Sequence, residues 1–315
     1  MKAIKVEHFG GPEVMEYVEL PDPIPNEKQE LISVTSIGVN YADTHQIENS
    51  YRVPQTLPLL PGLEVVGTTT SGKRVLASVS GGYAQMAVAD RDYCIDIPEG
   101  VSDEQALAML VQGTTAWHIL KTVGHIKPGE SVVIHAAAGG VGTVSIQLAK
   151  MWGGKVIAVT SAGEKADLAN SLGADKWVDA NSLDLAAAIL AANDGKRVNI
   201  VLEMVGGKTF DASLAVLAPF GRLITFGSAS RVPATPIIPT ALLAGTKTVA
   251  GFWLGNCFGD KALVNDVIVE LFALIQGGKL HPVIGHIFPL SQASEAHRQI
   301  LARKTTGKVT LNPAL

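Results

Sequence analysis

Residues 131–150 read Ser-Val-Val-Ile-His-Ala-Ala-Ala-Gly-Gly-Val-Gly-Thr-Val-Ser-Ile-Gln-Leu-Ala-Lys. An apolar run, a turn of small residues and an apolar-periodic stretch succeed one another without a break. That order predicts a buried strand, a tight turn and a helix whose first residues are glycines. Such a turn aims backbone N–H groups from the positive end of a helix, where a pyrophosphate can sit.

The segments beyond this turn decide the fold class. Candidate strands at Ser131–Ala136, Lys155–Thr160, Lys176–Asp179, Asn199–Met204, Gly221–Gly227 and Lys247–Trp253 alternate with helical stretches at Glu164–Leu172, Asp184–Ala192 and Thr209–Ala218. Strands joined by crossover helices make a parallel, doubly wound Rossmann sheet, so the chain is α/β. Residues 1–100 read differently, as short alternating strands (Ala3–Val6, Glu30–Ile37, Glu64–Thr69, Arg74–Ser78, Ala84–Ala89) punctuated by Gly, Pro and Asp. Ser102 is a candidate N-cap for a helical region that runs to about Thr122. The tail offers helices at Ala262–Gln276 and Ser291–Arg303 and a last strand, Lys308–Leu311. A β-rich first domain, an inserted nucleotide fold and a tail that returns to the first domain is the simplest organisation.

Composition narrows the function classes. A chain of 315 residues with net charge −4 and scattered lysines and arginines has no electrostatic footprint for nucleic acid or an anionic membrane. Cys94 and Cys257 stand far apart and are the only cysteines, which excludes a cysteine-built structural zinc site. A start that alternates like a strand, with no apolar leader and no apolar run of membrane-spanning length, leads us to expect a soluble cytoplasmic protein.

The turn matches the dinucleotide fingerprint as Ala137-x-Gly139-x-x-Gly142, with alanine for the first glycine. Ala138, Gly139, Gly140, Val141 and Gly142 are therefore the expected phosphate cradle. The next strand ends in Thr160-Ser161 with no Asp or Glu at its tip, and Lys165 lies one helical turn on. A carboxylate there would bind a ribose 2′-hydroxyl and repel a 2′-phosphate, whereas two hydroxyls and an ammonium welcome the phosphate. NADPH is expected over NADH.

Several pieces, in order, resemble the zinc-free quinone oxidoreductase (zeta-crystallin-like) branch of the medium-chain dehydrogenases/reductases. They are Gly38-Val-Asn-Tyr-Ala-Asp43, Pro61-Gly-Leu-Glu64, Gly82-Tyr-Ala84, Val111-Gln-Gly-Thr-Thr115, Ala136-Ala-Ala-Gly-Gly-Val-Gly142, Gly206-Gly207, Gly221–Gly227, Gly251-Phe-Trp253 and Gly307-Lys-Val309. The resemblance spans nearly the whole chain. It implies a GroES-like domain from 1–112 and 253–315 around a Rossmann domain at 113–252. It also implies that Asn40 and Thr115 lie near the nicotinamide, that Tyr51 lines the cleft, and that Gly227 and Ser228 contact cofactor. Asn40 and Tyr51 are the expected catalytic residues, the Tyr51 phenol donating a hydrogen bond to the acceptor oxygen or a proton to the resulting enolate, with a half-buried loop aromatic as the other reading of Tyr51. Phe252 and Trp253, expected to end the last strand, would wall the substrate or sit in a subunit interface.

Asn40 also reads as a turn former, Thr115 as a self-bonded helical hydroxyl, and Asp43 as either a helix cap or an orienting group. His118 and His135 read as structural imidazoles. Zinc-dependent relatives place a cysteine within the Val39–Asp43 segment and a His-Glu pair where Leu63-Glu64 stands here, so no catalytic metal is expected. Ala180 stands near where many relatives carry a cofactor-stacking tyrosine. The activity implied is zinc-independent, NADPH-dependent reduction of a small-molecule quinone or α,β-unsaturated carbonyl by a homodimer. An enoyl-thioester reductase and a non-catalytic NADPH-binding protein are the alternatives.

Overall fold

Apolar runs at Val132–Ile134, Val156–Val159 and Ile200–Leu202 have almost no exposed surface, as strands covered on both faces require. The computed structural model describes residues 1–315 as two units, 1–112 with 257–315, and 113–256. Along the chain the first strands are β1 (Lys2–Val6), β2 (Met15–Glu19), β3 (Gln29–Val39), β4 (Glu64–Thr69), β5 (Arg74–Ser78), β6 (Met86–Asp90) and β7 (Cys94–Asp96). Then come β8 (Ser131–His135), β9 (Lys155–Thr160), β10 (Lys176–Asp179), β11 (Val198–Glu203), β12 (Leu217–Thr225) and β13 (Thr248–Gly251). β14 (Ile284–Pro289) and β15 (Lys308–Asn312) lie in the tail. The helices are α1 (Tyr41–Ile47), α2 (Asp103–Ala108), α3 (Thr114–Trp117), α4 (Gly140–Met151), α5 (Glu164–Ser171), α6 (Leu185–Ala192), α7 (Gly207–Ala215), α8 (Val267–Gln276) and α9 (Ala293–Leu301).

In the first unit, β14-β15-β3-β4-β5-β7 form one sheet with β6 also on β3, and β1 pairs β2 separately. β3 is the organising strand. Its first half pairs β6, and its last residues pair β15 antiparallel, Val39 opposite Val309. The tail therefore completes this unit through main-chain hydrogen bonds. Ile32, Ile37, Val65, Val75, Tyr83 and Leu311 lie in its apolar core.

The second unit is a six-stranded parallel sheet in the order β10-β9-β8-β11-β12-β13. The order runs one way from β8 to β10 and the other from β11 to β13. The crevice at the carboxyl ends of β8 and β11 is the switch point where such sheets bind ligands.

Several boundaries depart from the sequence expectation. Pattern alone missed β2, β7 and β14, which are short or half-exposed and lack clean alternation. It also missed α1, which begins directly after Asn40. β13 stops at Gly251, so Phe252 and Trp253 do not end a strand. Phe252 N–H adds one last bond to Thr225 O, and Trp253 then enters a turn closed by Asn256 N–H. The helical region after Ser102 is interrupted by π turns at Met109–Gly113 and His118–Thr122, and α8 is preceded by another at Ala262–Asp266.

Candidate functional site

β8 turns sharply at Ala136, whose φ of 49° is left-handed, and α4 starts four residues later. Gly139 N–H bonds Ala136 O, and Ala137 N–H bonds Val159 O on β9, which seats the turn against the neighbouring strand. A Cβ on Gly142 would stand 2.5 Å from Ala136 O and 2.7 Å from Ala137 Cα. The helix start thus lies directly on the turn, and only glycine fits. α4 has no side-chain cap, because its N-cap is Gly139. The first N–H groups of a helix have no partner inside it, and here Gly140 and Val141 are half-exposed. An uncapped helix start, a close-packed glycine and partly open N–H groups fit a pyrophosphate.

The other expected cofactor residues in this unit lie along the same sheet. Thr160 is buried at the carboxyl end of β9, Ser161 comes next and is half-buried, and Lys165 is half-buried in the first turn of α5. Ala180, where a stacking tyrosine is absent, donates its N–H to Thr160 O. Gly227 and Ser228 come after β12 in a loop that Ala229 N–H ties to Met204 O and Ser230 N–H to Val205 O. Thr115 is buried in the short helix α3. Phe252 stacks on His118, ring centroids 5.6 Å apart, and Trp253 lies so close over Gly255 that no side chain fits there.

His135 is buried and shares a 2.8 Å hydrogen bond with Ser213 Oγ, and burial pulls its imidazole down to about 4. Glu203 went unnoticed in the sequence. Its Oε1 accepts the N–H groups of Val205 (2.7 Å) and Gly206 (2.9 Å) and shapes the loop after β11, while burial pushes its carboxyl upward.

In the other unit, Asn40 is the N-cap of α1 and is buried. Its N–H donates to Asp43 Oδ2 (2.8 Å), its carbonyl accepts from Asp43 N–H (3.0 Å), and its Nδ2 donates to Glu64 Oε1 (2.8 Å). Lys308 Nζ donates to Asn40 Oδ1 (3.1 Å) and ion-pairs with Glu64. Asp43 therefore caps the helix and also accepts the Tyr83 hydroxyl (2.9 Å), which in turn meets His297 Nε2 at 2.9 Å. Burial lifts the Asp43 carboxyl to about 7 and depresses His297 to about 3. Lys308, Tyr83 and His297 were absent from the sequence candidates. The signals were a lone lysine inside the alternating run Lys308-Val-Thr-Leu311 and the segments Gly82-Tyr-Ala84 and Gly307-Lys-Val309 that carry the resemblance, none of which assigned these side chains a role. Tyr51 lies half-buried in the loop between α1 and β4.

Fold and site together define a nucleotide-binding α/β unit joined to an antiparallel β unit. Residues 140–272 match the family model of the zinc-binding dehydrogenases. The quinone oxidoreductase of Pseudomonas aeruginosa is 33% identical, covering 99% of each chain. A mycobacterial protein solved in complex with NADPH is 36% identical with a TM-score of 0.93, covering 99% of this chain and 100% of that one. The Escherichia coli quinone oxidoreductase, also solved with NADPH, is 29% identical with a TM-score of 0.92 over 99% of this chain and 100% of its own. This chain belongs to the quinone oxidoreductase family of the medium-chain dehydrogenases/reductases and is an oxidoreductase.

Proposed function

We propose that this oxidoreductase uses NADPH to reduce a quinone or an α,β-unsaturated carbonyl and does so without zinc. The observation that carries the reading is the β9 tip beside the glycine turn. Thr160, Ser161 and Lys165 offer hydroxyls and an ammonium where an NAD-specific site would place a carboxylate. Two similar proteins were solved with NADPH, which supports the same cofactor here. When bound, NADPH supplies a hydride from its nicotinamide.

The chain's residues bind and orient. N–H groups of the Gly139–Gly142 turn hold the pyrophosphate, and Lys165 with the two hydroxyls holds the 2′-phosphate. Gly227, Ser228 and Thr115 contact the rest of the cofactor. Asn40 hydrogen-bonds the reacting partners. The phenol of Tyr51 donates a hydrogen bond to the acceptor oxygen and stabilises the charge that develops on it. Phe252 and Trp253 supply apolar contact to the acceptor.

Zinc independence is supported by the donor set. The Glu64 carboxylate is already neutralised by Lys308, and no three His, Cys, Asp or Glu side chains come together as metal ligands. An acceptor that needs only modest polarisation suits such a site. A homodimer through the open edge of β13 completes the proposal.

NADPH consumption against a panel of quinones, enones and enoyl-thioesters tests it, with and without prior treatment with a strong zinc chelator. Turnover with quinones or enones that survives chelation is the expected result. Selective turnover of enoyl-thioesters would reassign the substrate. NADPH binding with no turnover of any acceptor would leave a binding protein.

A further inference from the structure

Both polar atoms of the Asn40 carboxamide have partners, and those partners are charged. Glu64 and Lys308 have no exposed surface. Glu64 Oε1 takes Asn40 Nδ2 and Lys308 Nζ, while Oε2 takes the Val111 N–H at 3.0 Å. The fold makes room for this arrangement. A Cβ on Gly38 would collide with the Glu64 carboxylate, so β3 can pass it only as glycine. The β3–β15 register sets Val309 opposite Val39, which brings Lys308 across from Asn40.

An ion pair this deeply buried is a poor way to gain stability, because apolar side chains of similar volume are often as good or better. Its geometric effect is specific. A donor on Oδ1 and an acceptor on Nδ2 permit one orientation of the carboxamide and forbid the flipped one. One side-chain N–H of Asn40 is left over, in a fixed direction.

We propose that Glu64 and Lys308 are positioning residues for Asn40. They lock its carboxamide so that the remaining N–H is presented to the reacting molecules in a single orientation. The inference rests on the reading of Asn40 as a site residue. Lys308, whose side chain is fully buried, thereby makes the last strand of the chain part of the catalytic apparatus through Asn40.

The test compares Asn40→Ala, the double variant Glu64→Gln/Lys308→Met and the triple variant. Lys308→Met alone strands a buried carboxylate and can fail to fold, whereas the double variant leaves no charge unpaired. Readouts are kcat and KM with a quinone, the NADPH dissociation constant from tryptophan fluorescence, the thermal midpoint, and the Asn40 orientation in a crystal structure of the double variant. In the double variant kcat falls on the order of 100-fold, as for a misplaced catalytic contact, while the NADPH dissociation constant holds and the carboxamide turns. The triple variant is no slower than Asn40→Ala, since the pair acts through that residue.

Full activity in Asn40→Ala would remove the Asn40 reading itself. An impaired Asn40→Ala beside a double variant of normal kcat, losses that add in the triple variant, or an unmoved carboxamide would overturn the positioning role and leave the Asn40 reading standing.

Discussion

His135 ends β8 one residue before the glycine turn, a place where an imidazole invites a catalytic reading. Its hydrogen bond to Ser213 and its burial make it a neutral core group instead. Because its folded-state pKa is depressed to about 4, the unfolded chain binds the proton more readily. Its contribution to stability is complete above the ordinary histidine value and is lost as pH falls through 4. Urea unfolding of the parent and of His135→Asn should therefore converge by about 2 kcal/mol between pH 7 and pH 4.5. A gap independent of pH would show that the imidazole is not held neutral. Asp43 has the opposite sign. Its carboxyl is raised to about 7, so its contribution is present in acid and lost as pH rises through 7. Neither environment is legible locally: burial sets both values, and the side chains that meet His135 and Asp43, Ser213 and Tyr83, lie 78 and 40 positions away.

The strand–turn–helix from β8 to α4 is the element most legible in the sequence, because its causes are local. Left-handed backbone at Ala136, an N-cap without a side chain and a helix packed onto its own turn all come from small residues at fixed spacing. Gly142→Ala places a methyl against the Ala136 carbonyl and should destabilise the unit by about 1–3 kcal/mol, the usual cost of overpacking. The same shift opens the cradle, so NADPH affinity should fall with it. Fluorescence titration and thermal unfolding measure both, and a variant of unchanged affinity would separate the glycine from phosphate binding. Elements without local causes escaped. β7 is three residues long, β2 is half-exposed, and β14 exists through pairing with β15. Phe252 and Trp253 carried the apolar pattern of β13 past its end, because β13 borders β12 on one side only and the ladder stops at Gly251 and Phe252.

At the scale of the molecule, β13 leaves one edge of the parallel sheet open, and exposed Ile238 and Leu243 lie in the segment leading to it. An open edge with apolar neighbours is a template for a second copy. Light scattering after gel filtration should give twice the chain mass, and Thr248→Lys with Gly251→Lys, both at exposed positions, should return it to one. A monomeric parent would sink the dimer. No helix is long and apolar enough to cross a membrane. The sequence by itself determined the α/β class, through strands and helices that alternate between residues 131 and 253, and the glycine turn and the missing carboxylate at Thr160, each of which depends on residues within one turn of each other. Only the tertiary structure decided how Asn40 is held. Glu64 lies 24 residues from it and Lys308 lies 268 residues away. They meet because β3 pairs with both β4 and β15, and such long-range pairing leaves no periodic trace in the chain. The turn at 137–142 is thus written in neighbouring residues, while Asn40 in the other unit is held by a lysine almost at the chain's end.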